Sequence, residues 1–534
     1  MQHEKVITAA VLLPWAILAA MMVLYATAWG PWAGSDTVEY LEAARNLAAG
    51  RGLVLVRASG NVVPLYGRPP LYSVLLAGLA GLGFDPVEAV RFLNAALLAA
   101  LLGLVGSGVR SVSGLALASL ACLFLLTDEI VVVNFSGMMT EPLFVVIVAG
   151  QLASLAAYLS GARRWTLWLS AVLAGLALLT RYAGAACVLV LVIGEIGADT
   201  GPLRRRIGRA LGAALVALGP FLLWTALLAA AGETPGVYRQ VLATAWQDFK
   251  YASSASLDVL WSWIPGFDTT ALGHRTKLIV TAGLFLLGAA ALAWIIRRRG
   301  WRASLAAPSQ LLPGLLLIGF SLAHATVIVA AYLVVRFPRP VFDGRVLLPS
   351  YLTLILGVVL LGTYILAPYA KGRLSLLLAF ALLLPFVISS AGDSRDYVRR
   401  LHDTGSGYTA KAWRGLPILA VLDQIPEEIP IVSDDIEAVT FFARRPAFLL
   451  PDLNEAIPRE EWKPFGQTPS DQAEMAFAER GGFLVLFSSA LPRLREVYGE
   501  EAGLRRDVLV TGLDLVYEGA DGAVYRRPSF DLDG

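Results

Sequence analysis

Long apolar runs separated by short polar connections fill the first 391 residues of the chain. A helix that crosses the hydrocarbon core of a bilayer needs about 20 mostly apolar residues. By that rule the pattern predicts about eleven transmembrane helices. They cover residues 6–28, 88–109, 112–128, 141–160, 165–180, 183–198, 208–232, 276–296, 311–335, 346–367 and 373–391. The expected fold class is therefore a polytopic α-helical membrane protein.

Shorter, more polar alternations replace these runs after residue 391. Residues 430–434 and 483–487 predict strands, and residues 471–480 predict a helix. We therefore expect two domains: a transmembrane domain over 1–391 and a small soluble extracytoplasmic α/β domain over 392–534. The second domain lies within the usual size range of folding units.

Two shorter helices are predicted in the segment 29–87, between the first two spans. Residues 36–49 carry an amphipathic pattern that ends at Gly50. Residues 71–84 are apolar, but the stretch is too short for an ordinary span and fits an interfacial or re-entrant helix.

The positions of Lys and Arg orient the spans, because cytoplasmic loops carry an excess of these residues. If 71–84 does not cross and the N-terminus is inside, the basic clusters share the cytoplasmic side. They are Lys5, Arg110, Arg163, Arg164, Arg204, Arg205, Arg206, Arg209, Arg297, Arg298, Arg299, Arg302, Lys371 and Arg373. We therefore expect a multi-pass protein of the cytoplasmic (cell) membrane, with 29–87, 128–140, 233–275, 336–345 and the C-terminal domain outside.

Composition agrees with membrane insertion. The 534 residues are 57% hydrophobic and 16% charged, and the mean hydropathy is +0.65. A net charge of +2 gives no reason to expect a nucleic-acid partner. Cys122 and Cys187 both fall in apolar runs, so we interpret them as packing residues. The absence of P-loop, GxGxxG, HExxH and CxxC patterns argues against a nucleotide-driven pump or a zinc hydrolase of those types.

Acidic and aromatic candidates stand first in the outer segments. Asp36 begins the 36–49 helix, and Tyr40 lies one turn later, so both can face one cavity. A structural alternative makes Asp36 the N-cap and Glu39 its capping-box partner. Arg68 and Tyr72 flank a pair of prolines, and Arg68 could equally extend to lipid headgroups. Glu141 precedes Pro142 at the outer end of a span, where helix-start preferences also favour a carboxylate.

Arginines on the predicted outer face depart from the charge rule and need a separate reason. Arg181 and Tyr182 occupy a tight turn between two spans, and Arg336, Arg339 and Arg345 crowd a short loop. A guanidinium matches the geometry of a phosphate, so an anionic lipid-phosphate ligand accounts for them together. Ion pairing with Asp343, or contact with lipid headgroups, is the alternative for the loop. His324, inside a predicted span, is expected to bond to a neighbouring helix.

Five motifs in this order resemble those of the GT-C glycosyltransferases, in the style of bacterial relatives of protein O-mannosyltransferases and the lipid A aminoarabinose transferase. They are Asp36-x-x-x-Tyr40, Arg68-Pro69-Pro70-Leu71-Tyr72, Thr140-Glu141-Pro142-Leu143, Leu179-Thr180-Arg181-Tyr182 and Arg345-Val346-Leu347-Leu348-Pro349. The resemblance covers roughly residues 1–390. It implies an enzyme that moves a sugar from a polyprenyl-phosphate donor to a lipid, glycan or protein acceptor on the outer membrane face.

The resemblance also implies roles for these residues. Asp36 would be the general base, and Glu141 would position the acceptor or a metal. Arg68, Arg181, Arg336 and Arg345, with Tyr40, Tyr72 and Tyr182, would bind substrate, the arginines through the donor phosphate. A divalent metal, held by Asp36 and Glu141, is the one cofactor that the resemblance leaves open. Two departures from the family pattern remove acidic groups that could bind it. Gly67 replaces an acidic residue of the aminoarabinose enzymes, and Thr37 replaces the second acid of the mannosyltransferase pair.

A transporter or flippase of a lipid-linked anion is the alternative function. Such a protein is expected to show inverted repeats and polar or broken helices near the bilayer midplane. Here the ionisable residues gather at the predicted outer ends of the spans, which favours the enzyme.

Single cysteines introduced at positions 85, 86 or 87, in a background without Cys122 and Cys187, should react with an impermeant maleimide added outside intact cells. A cysteine placed next to Arg163 should react only after the membrane is opened. Labelling of 85–87 only from the cytoplasmic side would refute this topology.

Overall fold

The computed structural model describes residues 2–197, 202–233, 237–238, 245–265, 273–299, 311–337, 342–366, 373–454, 456–469 and 471–528. All eleven predicted apolar runs fall on helices. The helices of this part are α1 Gln2–Ala26, α2 Ser35–Ala48, α3 Leu71–Gly81, α4 Pro86–Ser113, α5 Leu115–Thr127, α6 Glu129–Phe135, α7 Glu141–Leu159, α8 Trp165–Thr180, α9 Ala185–Gly197, α10 Leu203–Ala230, α11 Ala245–Ser262, α12 His274–Arg299, α13 Leu311–Val334, α14 Leu348–Leu366 and α15 Arg373–Thr404.

Six helices in the described residues are long and apolar enough to cross a membrane, or seven if a bent pair counts as one span. They are 86–113, 141–159, 203–230, 311–334, 348–365 and 376–404. The bent pair is α5 and α6, which meet at Asp128 with an angle of 64°. The chain is therefore a mostly helical, multi-pass membrane protein, and the count of eleven spans stays a prediction. Helix α3 spans about 16 Å, half of a bilayer core, which agrees with an interfacial position.

The contacts divide the chain into two units. The bundle unit comprises 1–31, 66–72 and 87–405, and the loop–sheet unit comprises 32–65, 73–86 and 406–534. The predicted division at residues 391 and 392 follows hydropathy, whereas α15 continues as one helix to Thr404. The extracytoplasmic placement of residues 392–534 stays a prediction.

Small residues bring helices of the bundle unit into close contact. A Cβ atom at Gly314 of α13 would lie 2.8 Å from Leu361 Cδ2, and one at Gly357 of α14 would lie 2.8 Å from Ile318 Cγ1. A Cβ at Gly175 of α8 would lie 2.7 Å from the carbonyl oxygen of Ala217 in α10. Helices in lipid associate largely through such packing, because lipid tails supply no hydrophobic drive between them.

Residues 32–65, which follow α1, fold within the loop–sheet unit as a helix and a hairpin. Strands β1 (Val54–Val56) and β2 (Val62–Pro64) pair antiparallel. Helix α2 holds this hairpin through two side chains: Glu42 Oε1 accepts a bond from Val56 N (2.6 Å), and Asn46 Nδ2 donates to Val54 O (2.7 Å). Burial raises the pKa of Glu42 above its ordinary value.

Capping of α2 differs from the sequence-based alternative. The helix begins at Ser35 and its N-cap is Gly34, so Asp36 lies in the first turn. Thr37 Oγ1 accepts a hydrogen bond from Gly34 N (3.2 Å), and Gly34 O accepts one from Thr37 N (3.1 Å). The proposed capping box of Asp36 and Glu39 is therefore wrong, because the hydroxyl of Thr37 already serves the helix start.

The C-terminal part of the loop–sheet unit contains a mixed five-stranded sheet of order β6-β5-β7-β9-β8. The strands of this sheet are β5 Ile431–Ser433, β6 Phe448–Leu449, β7 Phe483–Phe487, β8 Asp514–Gly519 and β9 Gly522–Arg526. Strands β3 Val237–Tyr238 and β4 Val335–Phe337 form a separate two-stranded sheet. The helices of the C-terminal part are α16 Pro417–Leu422, α17 Ile436–Phe442, α18 Gln472–Arg480, α19 Ala490–Tyr498 and α20 Ala502–Leu509. The predicted strands at 430–434 and 483–487 and the helix at 471–480 are confirmed.

Helix α2 packs on this C-terminal part. It contacts α17, and Tyr408 N donates a hydrogen bond to Ala33 O (2.9 Å), just before α2 begins. Helix α17 is capped by Asp435, whose Oδ1 accepts bonds from Ala438 N and Tyr408 Oη, both at 2.9 Å. The segment that carries Asp36 is thus part of a folded core.

Gly175→Ala should lower the free energy of unfolding by about 1–3 kcal/mol, because the new methyl group would overlap the Ala217 backbone. Gly219→Ala in α10 has no atom within 4 Å of its new Cβ and should leave stability unchanged or slightly raised. Thermal unfolding of the purified protein in detergent measures both. Equal behaviour of the two variants would contradict the packing described here.

Candidate functional site

Glu141 is the centre of an ion cluster in the bundle unit. It is the first residue of α7, followed by Pro142, and its side chain is almost fully buried at 1% exposure. Arg181 Nη1 lies 2.7 Å from Glu141 Oε1, and Arg345 Nε lies 3.5 Å from the same oxygen. Thr140 Oγ1 donates to Glu141 Oε2 (3.2 Å). One buried carboxylate therefore holds two guanidinium groups.

Arg181 reaches the cluster from a tight turn. It has an extended backbone directly after α8, and the 3₁₀ turn Tyr182–Gly184 follows it. Gly184 is needed in this turn, because a Cβ atom there would collide with Leu178 N. Arg181 Nη1 also donates to Thr140 Oγ1 (2.8 Å). Thr140 thus relays a hydrogen bond from Arg181 to Glu141.

Arg345 reaches the cluster from the turn before α14. Asp343 Oδ1 accepts a bond from Val346 N (2.7 Å) and fixes that turn. Asp343 Oδ2 lies 3.9 Å from Arg345 Nε, farther than the Glu141 oxygen. The pairing with Asp343 that the sequence suggested is therefore present but long, and the contact with Glu141, which the sequence did not suggest, is the shorter. Phosphate binding by Arg345 stays a prediction.

The predicted substrate-binding residues Arg68, Tyr72 and Tyr182 also belong to the bundle unit. Tyr182 Oη donates to Tyr66 O (3.2 Å), which ties the 66–72 segment to the Arg181 turn. Arg68 is half-buried in that segment, and Tyr72 is buried at the start of α3. Arg336 lies in strand β4, and Arg339 lies outside the described residues.

Asp36 and Tyr40 belong to the loop–sheet unit. Asp36 is partly exposed in the first turn of α2, and Tyr40 is buried on the same helix. The structure thus brings Glu141, Arg181 and Arg345 together in the bundle unit. Asp36 is not one of these residues, because it belongs to the loop–sheet unit. The roles assigned to all these residues stay predictions.

His324 lies beside the ion cluster. The sequence did not predict this proximity. Its Nδ1 is 2.8 Å from Ser350 Oγ in α14, so the predicted bond to a neighbouring helix is confirmed. Phe144 and Phe320 flank its ring at centroid distances of 6.0 and 5.6 Å. Arg181 is near enough to act on His324 electrostatically. The spacing of the sequence carries no signal for this proximity, because it depends on how α7, α13 and α14 pack.

An apolar cavity of about 410 Å³ begins one helical turn from the ion cluster. Val145 and Pro349 line one end, four residues beyond Glu141 and Arg345. Along α7 the lining continues to Ser160, a distance of about 22 Å at 1.5 Å per residue. Aliphatic side chains of α4, α7, α13 and α14 form most of the wall. The cavity suits a long hydrocarbon chain whose charged end lies at Glu141, Arg181 and Arg345.

A metal ion fits this donor set poorly. The described residues contain no group of three or more His, Cys, Asp or Glu side chains placed to hold one. Glu141, the predicted ligand in this unit, has two guanidinium groups against its carboxylate. Cations already occupy the position that a metal would need, so the cluster is better suited to an anion.

Arg181→Ala should lower the free energy of unfolding by about 2–3 kcal/mol, because it removes the shortest partner of a buried carboxylate and the donor to Thr140. Arg345→Ala should cost less than about 1 kcal/mol, since its contact is longer and its side chain more exposed. Thermal unfolding in detergent measures both, with exposed Arg163→Ala as the control. Equal losses at 181 and 345 would contradict the central place of Arg181.

Comparisons with known proteins identify the fold. No protein-family model and no curated protein sequence matches the chain. The oligosaccharyltransferase of Archaeoglobus fulgidus, solved with zinc and sulfate, is 12% identical over 96% of this chain and 72% of that chain, with a TM-score of 0.50. ArnT from Cupriavidus metallidurans bound to undecaprenyl phosphate is 15% identical over 98% and 99% of the two chains (TM-score 0.45). Mycobacterial arabinofuranosyltransferase AftD is 13% identical over 97% and 42% (TM-score 0.48). The oligosaccharyltransferase match shows the fold alone, and the chain therefore shares the fold of the GT-C glycosyltransferases.

Proposed function

We propose that the chain is a membrane glycosyltransferase that moves a sugar from a polyprenyl-phosphate-linked donor to an acceptor on the outer face of the cytoplasmic membrane. One observation carries the proposal: the Glu141–Arg181–Arg345 cluster lies one helical turn from a long apolar cavity. A polyprenyl phosphate has these two parts, an anionic head and a hydrocarbon tail. The GT-C fold agrees with this class of reaction.

The two guanidinium groups act on the leaving group. As the bond between the anomeric carbon and the phosphate oxygen breaks, its electron pair stays with the polyprenyl phosphate, which gains charge. Guanidinium groups fixed in advance stabilise that charge without reorganisation during the reaction. A guanidinium carries five N–H donors, so Glu141 can orient both side chains while they bind a second anion. Arg68, Arg336, Tyr72 and Tyr182 complete the proposed binding residues.

The acceptor supplies the new bond. Its hydroxyl oxygen attacks the anomeric carbon, and its proton passes to a carboxylate acting as general base. We assign this role to Asp36, in the first turn of α2, with Tyr40 one turn later on the same helix. The loop–sheet unit, on the outer face in this proposal, would hold the base.

Asp36→Asn should reduce kcat by about 10²–10⁴-fold, because the amide keeps the shape of the side chain but cannot take up the proton. Transfer from a radiolabelled polyprenyl-phospho-sugar by the reconstituted protein measures this. Glu39→Gln, one turn along α2, is the matched control and should retain activity. Undiminished transfer by the Asn variant would refute the assignment of the base.

A further inference from the structure

A second cavity of about 420 Å³ lies in the bundle unit, apart from the apolar one. Four stretches line it: residues 128–130 at the bend between α5 and α6, residues 262–265 at the end of α11, Tyr351 of α14, and the face of α15 from Phe386 to Asp393. All four lie in outer loops or at the outer ends of spans in the predicted topology. The cavity therefore faces the side on which transfer is proposed.

Aromatic rings form one part of its wall. Trp263 and Tyr351 lie with ring centroids 5.1 Å apart, and Tyr351 and Phe386 lie 6.5 Å apart. The electron-rich faces of such rings attract positively polarised C–H groups. A sugar ring presents a face of this kind, whereas its hydroxyl groups point outward.

Carboxylates and hydroxyls form another part of the wall. Glu129 and Asp393 line the cavity together with three serines, and Lys, Arg and His are missing from its described lining. Asp128 is held in the wall, with Oδ1 accepting from Val131 N (3.1 Å) and Oδ2 from Tyr351 Oη. Carboxylates only accept hydrogen bonds, so the complementary ligand is rich in donors and carries no negative charge at this point.

Trp263 contributes its ring to the cavity wall. The residue is 9% exposed, and its Nε1 has no hydrogen-bond partner among the described residues. That nitrogen is itself buried, so a ligand in the cavity would meet the ring of Trp263 and not its N–H.

We propose that this cavity binds the ring of a sugar. Its hydroxyl groups would donate to Glu129 and Asp393, and its apolar face would lie on the aromatic rings. The role of this sugar in transfer, as part of the lipid-linked donor or of a glycan acceptor, rests on the proposed function. The binding itself does not.

The cavity adjoins the arginine cluster. Ile130 lines it, and a Cβ atom at Gly344 would lie 3.6 Å from Ile130 Cδ1. Gly344 directly precedes Arg345, which contacts Glu141. Ile130 therefore separates this cavity from the turn that carries Arg345.

Direct binding tests the proposal. Saturation-transfer NMR on the purified full-length protein, with methyl glycosides of mannose, glucosamine and arabinose, should show binding of at least one at millimolar concentration. Trp263→Leu should weaken that binding about tenfold and Trp263→Phe less, because Phe keeps an aromatic ring. Trp165→Leu, at a tryptophan 57% exposed on α8, is the control and should bind as the wild type does.

Asp393→Asn covers the case in which loss of Trp263 impairs folding. Asp393 is exposed at the cavity wall, so its variant should keep the wild-type unfolding temperature and bind several-fold more weakly. Failure of all three glycosides to bind the wild type, or unchanged binding by both Asp393→Asn and Trp263→Leu, would overturn the proposal.

Transfer kinetics distinguish the two sources of the sugar. A rise in the acceptor KM alone for Asp393→Asn assigns the cavity to a glycan acceptor, and a rise in the donor KM alone assigns it to the donor sugar. Glycoside binding without any transfer from a polyprenyl-phospho-sugar would refute the proposed function and leave the sugar site standing. Normal transfer with no glycoside binding and unchanged KM values would refute the sugar site alone.

Discussion

Burial of the Glu141 carboxylate is the constraint on which the bundle's candidate site depends. An ionised carboxylate buried without partners is strongly unfavourable, so the fold must bring cations to it. Arg181 and Arg345 come from two turns that are far apart in sequence, and both meet Glu141 at the start of α7. The loops at this end of the bundle are therefore fixed by charge as well as by packing.

Different forces stabilise the two units. In the bundle unit, glycines such as Gly175 and Gly314 let helices approach closely, as helices in lipid require. In the loop–sheet unit, apolar side chains of the mixed sheet, such as Val432 and Leu484, are buried in a core, as in water-soluble proteins. The proposed base therefore lies in a unit stabilised by hydrophobic burial, whereas the proposed phosphate-binding arginines lie in a unit stabilised by close packing of helices.

Hydropathy alone predicted the helices well, because a run of apolar residues of sufficient length has few other stable forms in a membrane. The predicted apolar run ends at residue 391, whereas α15 continues to Thr404, since hydropathy reports preference for lipid and not for helix. Hydropathy also treated residues 112–128 as one span and gave no sign of the bend at Asp128.

Each candidate residue could be predicted individually, because carboxylates and arginines stand at positions where the apolar and positive-charge patterns do not require them. The residues that they contact could not be predicted. The relay through Thr140, the neighbourhood of His324 and the cavity around Trp263 arise where helices distant in sequence meet. Local spacing reports what one helix face presents, and it carries no information about which face of another helix lies opposite.

The hydrogen bond from Tyr408 to Ala33, with the packing of α2 on α17, has a consequence for biosynthesis. Chains are made from the N-terminus, so α2 leaves the ribosome long before the residues on which it packs. Closing so long a loop carries an entropic penalty that only the finished contacts repay. The segment with Asp36 therefore completes its tertiary contacts only after translation has passed α17, and a nascent chain stopped before that point would have its membrane helices but an unsupported α2.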